Sequence, residues 1–127
     1  MNMDFNTLKA IIDAYPYELV FVDRNHIVSF MNKAAEKRYG KAVKIGESIF
    51  NCHNEGSKIK IEEFLKRADA GEDEMFEALN MKKGEREFFV PVRDEEGKVI
   101  GYFERHEKYW TEETAKETVK PSPYIPY

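Results

Sequence analysis

Leu19-Val20-Phe21-Val22-Asp23, followed by Arg24-Asn25 and then His26-Ile27-Val28-Ser29-Phe30-Met31-Asn32, is the stretch on which the fold turns. Two short runs rich in Val, Ile and Phe flank Asp23-Arg24-Asn25, whose side chains bond readily to a turn backbone, so the stretch predicts a β-hairpin over Leu19–Asp23 and His26–Met31. Asn32 then stands ahead of Lys33-Ala34-Ala35-Glu36-Lys37-Arg38-Tyr39, good helix formers that an Asn can cap, with Gly40 placed to end them in a left-handed conformation. Upstream, Asp4 can cap a helix carrying Phe5, Leu8, Ile11, Ile12 and Tyr15 on one face, and Pro16 stops it.

Downstream, residues 40–56 lack a clear period and predict one-turn helices anchored by Val43, Ile45, Ile49 and Phe50. Ser57–Ala70 puts Ile61, Phe64, Leu65 and Ala68 on one helical face, and Gly71 ends it. From there the period shifts toward two, giving strands at Glu74–Met81, Arg86–Val92 and Lys98–Glu107, joined at Lys82-Lys83-Gly84 and Asp94-Glu95-Glu96-Gly97. The order implies an α+β fold: a five-stranded antiparallel sheet with short helices packed on one face and an N-terminal helix. The expected partition is a cap helix over residues 1–16, one domain over 17–110 and an extension over 111–127 whose end, from Pro121, resists both helix and sheet.

Composition bounds the function. The 127 residues carry 20 basic and 24 acidic side chains, a net charge of −4, which disfavours a non-specific nucleic-acid binder. The longest apolar run, Leu19–Val22, is far short of a membrane span, and the amino terminus lacks the basic and apolar segments of a secretory signal, so a cytoplasmic location is expected. Cys52, the single cysteine, can form no internal disulfide. No nucleophile-elbow, Walker or zinc signature occurs, and the chain is not expected to be an enzyme. An acid–base pair of His53 with Glu55 is the one catalytic alternative, and nothing fixes its geometry.

Leu19–Asp23, His26–Glu36 and Pro91-Val92-Arg93-Asp94-Glu95-Glu96-Gly97-Lys98-Val99-Ile100-Gly101-Tyr102, in this order and spacing, resemble a PAS domain over roughly residues 5 to 109. Gly46–Ser57 also resembles a PAS subgroup found beside hemerythrin-like domains in prokaryotic proteins. The resemblance implies a signal-sensing or regulatory module: a sheet and helices enclose a cavity for a small molecule or cofactor, and signals leave through flanking helices, by dimerisation or to a partner protein. The chain after Trp110 is expected to be too short for an output domain. Flavin photosensors of this family carry an Asn-Cys-Arg-Phe-Leu-type stretch, whereas Asn51-Cys52 is followed by His53-Asn54, which disfavours flavin.

Candidate cofactor-binding residues are His53, Cys52, Phe50, Phe64 and Met75. If haem is bound, His53 is the candidate iron ligand, with Cys52, Met75 or Met81 opposite it. Against this stand plainer readings: His53 holding the irregular 46–56 segment by hydrogen bonds, and Cys52 as a small buried apolar group. Asp23, Asn25 and His26 are explained by turn chemistry, and His106, with Glu104, Arg105 and Glu107, by an exposed strand end. Met75, Glu77, Leu79 and Met81 alternate with Phe76, Ala78 and Asn80, and Phe88, Val90 and Val92 with Phe89 and Pro91, so both sheet faces carry apolar groups. The N-terminal helix or a second subunit is expected to cover the surplus, with Phe5, Leu8, Ile12 and Tyr15 as the interface of a homodimer. The alternative function is a ligand-free interaction and dimerisation module whose cavity is filled by its own side chains.

Overall fold

A computed structural model describes residues 3–51 and 54–109. Helix α1 (Phe5–Ala14) begins where the Asp4 carboxylate accepts from the Thr7 amide, and it is followed by the hairpin β1 (Val20–Asp23) and β2 (Val28–Met31). Helix α2 (Lys33–Tyr39), a 3₁₀ turn at Ile49–Asn51 and helix α3 (Glu55–Asp69) connect the hairpin to a meander of β3 (Met75–Asn80), β4 (Glu85–Arg93) and β5 (Val99–Lys108). All pairings are antiparallel, in the order β2-β1-β5-β4-β3. The last strand therefore closes against the first, and residues 19–31 and 74–107 form one wall, as the sequence predicts.

The hairpin tip works through Asp23, whose carboxylate accepts from the amides of Asn25 and Ile27. His26 takes the left-handed conformation there (φ 64), a position the sequence does not mark with glycine. Gly40 does the opposite. It stays right-handed (φ −59), and glycine is required because a Cβ would overlap the Glu36 carbonyl oxygen. Helix α3 starts two residues before the expected Ser57, because the Asn54 side chain accepts from the Ser57 amide and draws Glu55 and Gly56 into the first turn. Its other end matches expectation: Gly71 is left-handed (φ 103), with the Gly71 amide donating to the Ala68 carbonyl and the Glu72 amide to the Arg67 carbonyl to close the last turn.

The core lies between the inner sheet face and α2 and α3. Ile61, Phe64, Leu65 and Ala68 of α3 are buried, and Phe64 stacks on Phe89 at 5.3 Å while meeting Tyr102 edge-on at 5.9 Å. Arg24 clamps the hairpin to the end of α3 through two bonds to Asp69 (2.6 and 3.0 Å). Asn32, fully buried, is the second tie. Its Oδ1 accepts from the Leu19 and Ala35 amides, and its Nδ2 donates to the carbonyls of Ile12, Tyr15 and Tyr17. One side chain thus caps α2 and holds the end of α1 and the approach to β1.

Two expectations about the sheet are corrected. The pairing of β3 with β4 slips between Phe76 and Ala78, so Phe76 faces Phe88 and Leu79 faces Arg86, on the same outer side. Leu79 therefore leaves the face it would share with Met75 under strict alternation. The N-terminal helix also does not bury its stripe on the sheet: Phe5, Leu8, Ile11 and Tyr15 remain exposed, and only Ile12 is half-buried. The outer sheet face is instead dressed by charge, with the Arg105 guanidinium 4.3 Å from the Phe88 ring and paired to Glu74 and Glu107, and Arg86 paired to Glu107. Phe76 and Leu79 stay exposed beside it.

Candidate functional site

A cavity of about 240 Å³ opens between the β1/β5 half of the sheet and the α2 side of the helical layer. Val20 and Val22 line it from β1, Ala42 and Val43 from the turn after α2, and Ile49 from the 3₁₀ turn. These walls are apolar because β1 alternates, sending Val20 and Val22 inward. Tyr102 of β5 closes the side toward the aromatic core, and its hydroxyl sits 3.1 Å from Nδ1 of His26. Burial pushes the Tyr102 phenol up and lowers the half-buried His26 imidazole, so at both groups it favours the neutral form.

The polar end is built from Glu18, Tyr39, Glu104 and His106. Glu18 is answered by Arg38 at 3.1 Å, whose guanidinium also lies 5.2 Å from the Tyr39 ring. Burial raises the Glu18 carboxyl, but its own backbone amide and Arg38 outweigh that and hold it below its usual value. Burial pushes Tyr39 up to about 12. Glu104 has no such answer. Its carboxylate makes no hydrogen bond or ion pair among the described residues, and behind it stand Glu77 and Glu87, one oxygen of each of the three lying within 4.8 Å of the others. The β3 slip creates this cluster, since Glu77 and Ala78 both stand across from Glu87. Burial, with the like charges of its neighbours, pushes Glu77 up to about 8 and Glu104 up to about 7. One Glu77 oxygen is buried with no hydrogen-bond partner among the described residues. An all-carboxylate set is the donor type that hard cations take.

His106 does not sit at an exposed strand end. Its side chain is 9% exposed, with Nδ1 3.4 Å from Glu87, because β5 continues through Lys108 and its register places His106 opposite Glu87. Three of the residues expected to bind a cofactor lie elsewhere: Phe64 is locked in the aromatic core, Met75 packs on that core, and the Phe50 ring meets His26 at a tilt, 4.6 Å between centroids. None lines the cavity. Cys52 and His53 fall outside the described residues, as do Trp110 and the extension over 111–127. Met81, an expected haem partner, is 78% exposed. The lining set could have been found only by knowing that Glu18, Tyr39 and Glu104 converge, and no local pattern signals that.

Comparison with known proteins yields a family model, described as a PAS domain, that matches residues 8–106. A C-terminal domain from Streptococcus mutans has a similar fold (TM-score 0.66, 18% identity, covering 84% of this chain and 85% of that one). So does the PAS domain of a Colwellia psychrerythraea protein (0.59, 19%, 84% and 98%). A sensory box sensor histidine kinase structure from Vibrio cholerae is similar too (0.56, 15%, 82% and 90%). No curated protein sequence matches the chain.

Proposed function

Because the chain belongs to the PAS-domain family, a family of signal-sensing modules, we propose that it senses a small molecule bound in the cavity between β1, β5 and the α2 side. The observation that carries this reading is the cavity itself: apolar walls with a few convergent polar groups at one end, the usual build of a small-molecule site. At about 240 Å³ the cavity lies just below the roughly 300–1,000 Å³ usual for small-molecule pockets. That size favours a small metabolite over a tetrapyrrole or flavin.

Signalling then requires that ligand-bound and ligand-free conformations differ in affinity. Asn32 supports a route: it ties α2, whose end forms one cavity wall, to the carbonyls that end α1. Native mass spectrometry of the purified chain, before and after incubation with a metabolite library, tests the reading. The expected result is an added mass that Ala42→Trp, which fills the cavity rim, removes. A bare chain throughout contradicts it.

A second reading, dimerisation through α1, is favoured by the exposed stripe Phe5, Leu8 and Tyr15, since a helix of ten residues with none buried leaves apolar area to cover. The two readings are compatible, because the stripe and the cavity lie on different parts of the molecule.

A further inference from the structure

The charges at the polar end of the cavity do not balance. Glu18 has Arg38, but Glu104 faces the space with no cation paired to it among the described residues, and Glu77 and Glu87 crowd it from behind within 4.8 Å. Two basic groups approach this cluster. His106 is spent on Glu87 at 3.4 Å, and the Lys60 ammonium, reaching over from α3, bonds the main-chain carbonyl of Glu77 at 3.2 Å. An oxygen of Glu77 is buried with no hydrogen-bond partner among the described residues.

Resting on the reading of the cavity as a ligand site, we propose that it selects a small organic cation: an apolar body seated against Val20, Val43 and Ile49, with a protonated amine directed at Glu104. An ammonium supplies a charge-assisted hydrogen bond to a carboxylate that has none among the described residues, and it favours the ionised form of Glu104 beside Glu77 and Glu87. An anionic ligand adds another like charge to the cluster, and a neutral one supplies no charge that favours the ionised carboxylates. A bare divalent ion fits less well, because such ions take six to eight oxygens and the adjoining walls are apolar.

Thermal denaturation of the full chain with 2-phenylethylamine and 3-methylbutylamine, each against its isosteric alcohol, tests the inference. The amines should raise the melting temperature more than the alcohols, with apparent affinities higher by about tenfold. Glu104→Gln should erase that preference and Glu77→Gln should weaken it; if the first variant fails to fold, the second carries the comparison. Alcohols binding as well as amines overturn the cation and leave the cavity reading standing. Stabilisation by calcium chloride but not by amines assigns the cluster to an inorganic ion and overturns the proposal. Response to neither the amines nor the alcohols overturns both readings.

Discussion

Asn32 and Glu104 show how differently two buried polar side chains are treated. Asn32 spends its amide fully, with every donor and acceptor engaged, and this satisfaction is what makes its burial tolerable. Asn32→Asp keeps the cap on α2 but turns an oxygen toward the carbonyls of Ile12, Tyr15 and Tyr17. Urea denaturation should show a loss of about 1–3 kcal/mol, and an unchanged midpoint would remove Asn32 from its role as a tie. Glu104 and Glu77 are the reverse case. Their folded pKa values lie above the unfolded ones, so their contribution to stability is fully present below the ordinary carboxylate range and is lost as pH rises toward about 7 to 8. The chain should therefore melt at lower temperature at pH 8 than at pH 6. Glu104→Gln should flatten that slope and gain about 1–3 kcal/mol at pH 8; a slope unaltered by the substitution would place the titration elsewhere.

Secondary-structure elements were legible wherever the signal was local. The hairpin, the Asn-capped helix and the Gly71 terminus follow from the residues within a turn of each feature, and all three stand where Asp23, Asn32 and Gly71 put them. Irregular strand pairing was not legible. The slip at Phe76/Ala78 and the burial of His106 depend on which residue stands across the ladder, and cross-strand partners such as Phe88 for Phe76 or Glu87 for His106 leave no mark on local alternation. Gly101 illustrates the same point: a Cβ there would run into the Phe21 ring and the Val22 carbonyl, a contact set by the β1–β5 pairing. Gly101→Ala should cost about 1–3 kcal/mol by overpacking, read as a lower melting temperature, and a neutral effect would mean that the pairing is looser than described. For α1, Phe5→Glu with Leu8→Glu should leave the circular dichroism spectrum intact and abolish concentration-dependent light scattering. Association that survives both charges would exclude this stripe as the interface.

The fold as a whole joins the chain's early and late halves at the β1–β5 seam, and the cavity sits over that seam. The described lining is assembled from residues 18–22, 39–49 and 102–106, which only tertiary pairing brings together, whereas Phe50, Phe64 and Met75 pack outside it. The central claim is that a small molecule binds there. Methyl-selective NMR on the full chain during titration with 2-phenylethylamine tests it most directly. Binding at this site should shift the methyl signals of Val20, Val22, Val43 and Ile49 while leaving those of the exposed Leu79 and Ile59 in place. Shifts confined to Leu79 and the outer sheet face, or no shifts at all, would contradict it.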